Sequence, residues 1–385
     1  MEAVEKRVYL DNNSTTKIDD RIVDAIIPFF REHFGNAASP HCMGKEAYDA
    51  VCHGREQIAN LINTTSENII FTSGATESIN LALKGVAGEY KPKGNHIITV
   101  KTEHNAVLDT CKYLESQGYE ISYIPIDYDG NLKLEFLEEL IKPTTILIAV
   151  MYANNEIGVI HPIKKIAEIA KKHNIIFFCD GTQGVGKTNI DVQDLGIDMM
   201  AFSGHKIHAP KGIGALYLRD YKEKPFKIHS MMHGGGHELG LRSGTLNVPG
   251  IIGLGMACEI AKNEMHLHTP KIKALRDKLE AELLKLPDTL VNGSTTNRMP
   301  NITNILFKGV DSAELIKNLD RICASGGSAC TSTHAKPSHV LRALGLCIDD
   351  SYSSVRLSIS KYNTDDDIEY AISEFYRVVP ILKIG

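Results

Sequence analysis

A regular alternation of apolar runs and amphipathic stretches constrains the fold of this chain more than any other feature. Seven runs have the length and composition of buried strands: NIIFTS (68–73), HIITV (96–100), EISYIP (120–125), TILIAVM (145–151), IIFFCD (175–180), DMMAFS (198–203) and GALYLR (214–219). Between most of them lie helical patterns, such as residues 162–174, where apolar side chains recur at helical spacing. Strands that are apolar throughout and alternate with helices predict a mainly parallel seven-stranded sheet covered by helices.

The rhythm changes near residue 260 and divides the chain into two predicted units. A length of 385 residues is enough for two or three structural units. We predict a large α/β domain over residues 15–260 and a smaller α+β domain made of residues 1–14 and 261–385, with a long helix over 271–286. Ligands of open α/β sheets bind beyond the carboxyl ends of the strands, so residues that follow each strand are the first candidates for a site.

Composition argues against several classes of partner. The net charge of −5 gives no general attraction to nucleic acid or to an anionic membrane. No window approaches the run of about 18 uncharged apolar residues that a membrane span needs, and the N-terminal residues lack the apolar core of a secretory signal. The 8 cysteines contain no C-x-x-C pair and match no zinc spacing, which indicates free thiols in a reducing cytoplasm.

Small and polar residues follow the predicted strands in turn. Gly74 and Thr76 stand at the start of a helix, where free N–H groups favour an anion, although an ordinary helix cap also explains Thr76. His104 begins the next helix, and Asn155 follows the fourth strand in a pair of asparagines. A surface histidine and a turn are the ordinary alternatives for these two residues. Asp180 ends the fifth strand.

A lysine follows the sixth strand directly. Lys206 stands beside Ser203 and His205 in the sequence SGHKIHAPKG, which is a poor setting for a solvated surface lysine. Burial would lower its pKa and make it nucleophilic, as lysines that form Schiff bases require. Pyridoxal phosphate needs such a lysine, an aspartate for its ring nitrogen and a phosphate cup, and an imidazole often covers its ring. Because all four follow strands, the sequence predicts a pyridoxal phosphate site.

One cysteine differs from the others in its surroundings. Cys330 lies in CASGGSACTSTHAKP (323–337), a loop of serine, glycine, alanine and threonine that cannot bury a thiol in an apolar core. An exposed thiol in such a loop indicates chemistry rather than packing.

A phosphate-binding P-loop is a rival interpretation of residues 180–188. Gly181, Gly186, Lys187 and Thr188 fit the pattern G-x-x-x-x-G-K-[ST]. That pattern requires a helix that begins at its lysine, with its N-terminus on the phosphates. The residues that follow, NIDVQDLGIDMM, show alternation and turn residues rather than a helical stripe. A nucleotide-hydrolysing function is therefore disfavoured, and Lys187 is expected to be an ordinary lysine.

The motifs taken together resemble the cysteine desulfurases of the NifS/IscS type, in the class V aminotransferase group of fold-type I pyridoxal phosphate enzymes. The resemblance covers essentially the whole chain and is carried by these segments: YLDNNSTT (9–16), FTSGATES (71–78), TEHNAVLDT (102–110), NNEIGVI (154–160), DGTQGVGK (180–187), SGHKIHAPKGIGALY (203–217), HGGGHELGLRSGTLNVPGI (233–251), SGGSACTS (325–332) and SVRLSISKYNT (354–364).

The resemblance implies a role for each matching residue. Lys206 would form the Schiff base with the cofactor and then take the substrate Cα proton, while His104 would stack on the ring and shuttle protons. Cys330 would attack the substrate sulfur and carry the persulfide, and it would also be a transient iron–sulfur ligand during transfer. The implied cofactor contacts are Ala75, Thr76, Asn155, Asp180, Gln183, Ser203, His205 and, from a second subunit, Thr245. The implied substrate contacts are Arg356, Asn155 and Asn13.

The resemblance also implies partners. L-cysteine would be the substrate, the enzyme would be a homodimer, and an IscU/NifU-like iron–sulfur scaffold protein would accept the sulfur, with tRNA thiolation as a further outlet. No membrane and no direct nucleic-acid partner is expected. A selenocysteine lyase or another class V pyridoxal phosphate enzyme is the alternative that the sequence leaves open.

Overall fold

The computed structural model describes residues 7–223, 226–326 and 336–384. Its strands are β1 (Val8–Tyr9), β2 (Ile69–Thr72), β3 (His96–Val100), β4 (Glu120–Ile124), β5 (Thr145–Ala149), β6 (Ile176–Asp180), β7 (Met199–Ser203), β8 (Gly214–Leu218), β9 (Thr289–Val291), β10 (Ile302–Phe307), β11 (Ile322–Cys323), β12 (Ser325–Gly326) and β13 (Ser354–Ser358). Its helices are α1 (Asp20–Ile26), α2 (Pro28–Arg31), α3 (Cys42–Leu61), α4 (Ala75–Tyr90), α5 (Asn105–Ser116), α6 (Leu137–Leu140), α7 (Ile163–Lys172), α8 (Val248–Leu283), α9 (Ser312–Asn318), α10 (His339–Ala343), α11 (Ile348–Tyr352) and α12 (Asp365–Ile384).

The seven predicted strands form one sheet in the order β2-β8-β7-β6-β5-β3-β4. Strand β8 is antiparallel to both of its neighbours, and every other pair is parallel. Successive side chains such as Phe177 and Phe178 enter separate apolar clusters, as expected when both faces of a sheet are covered. The prediction of a mainly parallel seven-stranded sheet is confirmed.

A second unit packs around the four-stranded sheet β12-β13-β10-β9. Its core joins residues from both chain ends, including Leu10, Leu279 and Phe375, and the rings of Phe307 and Phe375 stack with their centroids 5.3 Å apart. Residues near the N-terminus therefore share a core with the C-terminal third of the chain. This arrangement agrees with the predicted small α+β domain, whose limits stay a prediction.

The long helix α8 begins much earlier than the sequence pattern indicated. It runs unbroken from Val248 to Leu283 and passes through position 260, whereas the predicted helix covered residues 271–286. Pro270 lies directly before the predicted start, and the glycines Gly250, Gly253 and Gly255 weaken the helical signal in the first half of the helix. They are tolerated because this half packs closely on α3: a Cβ built on Gly255 would lie 2.5 Å from the Cα of Gly54.

Among the described residues, no helix combines the length and the apolar character that a membrane crossing needs.

Candidate active site

The carboxyl edge of the large sheet brings the predicted lysine into contact with the N-terminal segment. Strand β7 ends at Ser203, and a short 3-10 turn, Gly204–Lys206, directs Lys206 inward. Its Nζ donates hydrogen bonds to the backbone oxygens of Asn13, at 2.5 Å, and Ser14, at 2.8 Å. Within the described ranges, the amine is therefore held by backbone carbonyls and not by a carboxylate.

These surroundings lower the pKa of Lys206 from 10.5 to about 8. Burial is the main cause, and the positive charge of Arg356 adds to it, while Asp11 and Asp180 act in the opposite direction. A fraction of the amine is consequently neutral near pH 7, as a lysine that acts as nucleophile or base requires. The expectation that Lys206 is not a solvated surface lysine agrees with this geometry.

The N-terminus of α4 forms a cradle with Ser203. Gly74 occupies the N-cap position with φ +153° and no side-chain cap, and Ala75 and Thr76 form the first turn of the helix. Thr76 is therefore not the helix cap. A Cβ built on Gly74 would lie 3.4 Å from Ser203 Oγ, so the hydroxyl of Ser203 and the N-terminus of α4 border the same space. Free N–H groups at a helix N-terminus beside a hydroxyl suit a phosphate group.

A neutral imidazole borders the same cradle. Burial, followed by the charges of Lys206 and other lysines, lowers the pKa of His205 to about 4. Its Nδ1 lies 3.2 Å from Thr15 Oγ1, and its backbone oxygen accepts a bond from Thr16 N at 2.9 Å. The ring is thereby fixed in position next to Lys206 in the chain.

His104 caps helix α5, as the sequence pattern predicted. Its Nδ1 accepts a hydrogen bond from Ala106 N at 3.1 Å, which leaves Nε2 as the nitrogen available to a ligand. The residue keeps an exposed surface. Desolvation by the surrounding protein atoms lowers the pKa of the imidazole, whereas the negative charge of Asp180 acts in the opposite direction. The ring thus stands open toward the cleft and neutral at pH 7.

Asp180 and Gln183 lie at the end of β6, and both are buried. One carboxylate oxygen of Asp180 accepts a bond from Thr182 N at 2.9 Å. The amide of Gln183 donates from Nε2 to Asn13 O at 3.2 Å, and this carbonyl is the same one that Lys206 contacts. A carboxylate on the floor of a cleft and an amide donor beside the lysine fit the ring nitrogen and ring oxygen of pyridoxal phosphate.

Arg356 projects from β13 of the smaller unit into the same region. Its guanidinium donates to Asn155 O at 3.1 Å, to Asp11 Oδ1 at 2.7 Å and to Ser14 Oγ at 2.5 Å. Its Nε is buried and has no acceptor among the described residues. A guanidinium with one donor unpaired inside a cleft suits a carboxylate ligand.

The two predicted asparagines connect the units. Asn13 Nδ2 donates to Asn155 O at 3.2 Å, and Asn13 Oδ1 accepts from Asn301 Nδ2 at 2.9 Å. The neighbour Asn154 forms the turn, because its Oδ1 accepts the N–H groups of Glu156 and Ile157. The interpretation as turn residues is therefore correct for Asn154, and the side chain of Asn155 remains available to a ligand in the cleft.

One predicted residue is not brought to this cleft, and another lies outside the part of the chain that the structure describes. Thr245 is exposed in a loop between β8 and α8. Cys330 lies outside the described residues, so the predicted thiol chemistry and iron–sulfur ligation stay predictions. Within the described ranges, no group of three or more His, Cys, Asp and Glu side chains is arranged to hold a metal ion.

The P-loop interpretation of residues 180–188 is wrong, and so is the expectation that Lys187 is ordinary. The segment folds as successive turns, and no helix begins at Lys187. Its Nζ donates instead to Gln183 Oε1 at 2.6 Å. Burial, followed by repulsion from Lys206 and Arg356, lowers the pKa of Lys187 to about 7. An ammonium group that is shielded from water binds its proton less tightly, because the charged form loses its solvation.

Sequence reasoning missed the partners that orient the predicted residues: Asp11, Ser14, Asn301 and Lys187. Asp11 and Ser14 belong to the polar run DNNS that follows β1, so the strand-end criterion used for the large sheet would have found them. Asn301 has no local signal, since only the packing of the two units brings it to Asn13.

Comparison with known proteins places the chain in a family. The family model described as aminotransferase class-V matches residues 8–371. The chain belongs to this family. The cysteine desulfurase IscS of Methylococcus capsulatus is 46% identical over 367 residues, which cover 95% of this chain and 91% of that protein.

Solved structures agree with this membership. A NifS-like protein superposes with a TM-score of 0.90 at 37% identity, over 98% of this chain and 100% of that one. A structure described as SspA in complex with cysteine has a TM-score of 0.82 at 34% identity, over 92% of this chain and 99% of that one. The predicted family, fold class and pyridoxal phosphate dependence are confirmed, and the names of the relatives bear out the predicted cysteine desulfurase activity.

Proposed function

We propose that this enzyme removes sulfur from L-cysteine and produces L-alanine and a persulfide on Cys330. The single observation that carries the proposal is Lys206, a buried amine with a pKa lowered to about 8 at the end of a central strand. The relatives named as cysteine desulfurases, and the similar structure that contains cysteine, support the choice of substrate.

Pyridoxal phosphate, when bound, stabilises the negative charge left on the substrate Cα after deprotonation. The cradle of Gly74, Ala75, Thr76, Ser203 and His205 would hold its phosphate, and Thr245 of a second subunit would complete that cradle. Asp180 would hold the proton of the ring nitrogen, and Gln183 would donate to the ring oxygen. Asn155 would contact both cofactor and substrate.

The substrate carboxylate would be bound by Arg356, whose unpaired Nε faces no protein acceptor among the described residues. Asp11 and Ser14 accept hydrogen bonds from Nη2 and Asn155 O accepts one from Nη1, so the orientation of the guanidinium is set before substrate binds. Asn13 would help position the substrate from the same segment. Pre-formed orientation lowers the entropic cost of binding.

Proton transfer would use Lys206 and His104. Neutral Lys206 would take the Cα proton, because its lowered pKa leaves part of the amine unprotonated near pH 7. His104, held through Nδ1 by Ala106 N, would exchange protons through Nε2. The backbone carbonyls of Asn13 and Ser14 would accept hydrogen bonds from the resulting ammonium.

The thiolate of Cys330 would attack the sulfur of the bound cysteine. The bond from sulfur to Cβ breaks, a sulfur–sulfur bond forms on Cys330, and protonation completes L-alanine. The balance is one cysteine and one protein thiol giving one alanine and one persulfide. An iron–sulfur scaffold protein in the cytoplasm would accept this sulfur, with Cys330 as a transient iron–sulfur ligand, and tRNA thiolation is a second outlet.

The enzyme would act as a homodimer. The loop that carries Thr245 exposes apolar side chains, with Met231 at 43%, Met232 at 44% and Leu239 at 53% of their full accessible area. A subunit contact would cover them and bring Thr245 to the partner's cradle. Sedimentation of the purified protein tests this state, and a monomer that binds the cofactor fully would refute it.

Sulfide release from L-cysteine in the presence of a thiol reductant tests the reaction. The Cys330→Ala variant is expected to lose sulfide release and to keep the visible absorbance of the cofactor. Cys42→Ala is the matched control, because Cys42 is an exposed cysteine that begins helix α3 and belongs to none of the proposed cofactor or substrate contacts. Borohydride reduction should attach the cofactor to Lys206. Full sulfide release by Cys330→Ala would disprove the mechanism.

A further inference from the structure

The lysine that completes the apparent P-loop has a position that the proposed reaction does not explain. Lys187 Nζ donates to Gln183 Oε1 at 2.6 Å, and Lys187 forms no ion pair with a carboxylate among the described residues. A buried ammonium without a counter-ion is costly, and the nearby charges of Lys206 and Arg356 increase that cost. Among the described residues, the side chain of Lys187 makes its hydrogen bond to the amide of Gln183.

The amide of Gln183 has two chemically different ends, and the structure assigns a partner to each. Oxygen and nitrogen ends of an amide have nearly the same shape, so their hydrogen-bond partners decide which way the group points. A lysine ammonium can only donate, and it therefore selects Oε1. The Nε2 end then faces the cleft, where Asn13 O accepts it at 3.2 Å next to Lys206.

The local backbone is shaped to make this contact. Gly186 has φ +71°, and a Cβ at this position would lie 2.8 Å from Ile207 Cγ2, one residue beyond Lys206. Within the turn, the N–H groups of Lys187 and Thr188 both donate to Gly184 O. The turn is thus packed against the Lys206 turn, and it directs the Lys187 side chain back toward Gln183.

A cavity explains how Lys187 is buried and still partly accessible. Lys187 and Lys206 both line a cavity of about 80 Å³, together with Asp19, Glu264 and Lys361. Such a volume accommodates several waters, which can solvate the ammonium and exchange its protons. Asp19 bonds to Lys361 at 2.5 Å and Glu264 bonds to Arg21 at 2.6 Å, so these carboxylates are paired elsewhere.

We propose that Lys187 is a positioning residue that fixes the amide of Gln183 with Nε2 toward the cofactor ring oxygen. This inference rests on the proposed function, which places Gln183 beside that oxygen. Without the lysine, the amide can rotate and present Oε1, an acceptor, to an oxygen that also only accepts. The ring oxygen then loses its donor, and the bound cofactor holds its proton more strongly.

The test follows the visible absorbance of the bound cofactor against pH. Lys187→Met removes the donor and is expected to raise the midpoint of the absorbance change by about one pH unit. Lys187→Arg keeps a side chain that can only donate at the same position and should restore most of the wild-type midpoint. Lys361→Gln is the matched control, since Lys361 lines the same cavity but bonds to Asp19, and its midpoint should stay unchanged.

A double-mutant cycle shows whether Lys187 acts through Gln183. Gln183→Met should raise the midpoint as Lys187→Met does, and the double variant should show no further shift. Three results would each overturn the inference: an unchanged midpoint in Lys187→Met, equal shifts in Lys187→Met and Lys187→Arg, or additive shifts in the double variant. If Lys187→Met does not fold, the comparison of Lys187→Arg with Gln183→Met still decides, because a positioning role requires their midpoints to differ.

The outcomes also separate this inference from the proposed function. A wild-type protein without cofactor absorbance or cysteine-dependent sulfide release would contradict the proposed function, whatever the variants do. A wild-type protein that shows both, with a Lys187→Met midpoint equal to its own, would contradict the positioning role alone.

Discussion

Replacement of Arg356 by glutamine is expected to raise the pKa of Lys206 in the apoenzyme. Arg356 is the charge that lowers this pKa most after burial, and Asp11, which acts in the opposite direction, loses its cationic partner in the variant. Both changes favour the protonated amine. The neutral fraction of Lys206 near pH 7 should therefore fall.

The structure sets the size of this effect. Lys206 Nζ contacts Ser14 O at 2.8 Å and Arg356 Nη2 contacts Ser14 Oγ at 2.5 Å, so the two cations lie within roughly 9 Å of each other. With an effective dielectric constant of about 20, their repulsion is about 2 kcal/mol, which corresponds to roughly one to one and a half pKa units. The rate of cofactor attachment at pH 7 should fall by a factor of about 10 to 30.

The assay measures how fast the apoenzyme regains cofactor absorbance at a series of pH values. The wild-type rate should reach half its maximum near pH 8, the value to which the pKa of Lys206 is lowered. In Arg356→Gln the half-maximal pH should move upward, while Arg356→Lys, which keeps the charge, should stay near the wild type. Equal half-maximal pH values for the glutamine variant and the wild type would refute the electrostatic reasoning.

Three further outcomes are expected from other parts of the structure. Gly186→Ala should destabilise the protein by about 1–3 kcal/mol in denaturant titrations, because its φ is +71° and its Cβ would lie 2.8 Å from Ile207 Cγ2; an unchanged midpoint would contradict the strain. Arg298→Met should lower the free energy of unfolding by about 3–5 kcal/mol in the same assay, because the buried carboxylate of Glu280 loses its hydrogen bonds of 2.6 and 2.7 Å to Arg298. A decrease of less than about 1 kcal/mol would contradict a stabilising role for this ion pair. In the apoenzyme, the lowered pKa of Lys206 means that the unfolded chain binds more protons than the folded chain between about pH 8 and pH 10.5. The free energy of unfolding should therefore rise with pH more steeply in the wild type than in Lys206→Met. Parallel plots of the free energy of unfolding against pH would exclude the lowered pKa.

Much of the fold and of the site was predictable, because both follow from local patterns. Each of the seven apolar runs became a strand of the large sheet, and Asp180, Ser203 and Lys206 were found as residues that follow strands. The early start of α8 was not predictable, because its glycines weaken the helical pattern and gain their value only against α3. A close helix contact is a property of two segments and leaves no periodic signal in one.

The sequence by itself determined the strands, the order of the polar residues that follow them and the position of Lys206 after a central strand, because hydrophobic periodicity and strand-end position are local properties. The tertiary structure alone decided how Asn13, Arg356 and Lys187 meet around Lys206. These residues come from the N-terminal segment, from the smaller unit and from a turn that resembles a P-loop. Their hydrogen bonds and the burial that lowers the pKa of Lys206 exist only when both units pack together, so no separate stretch of sequence encodes them.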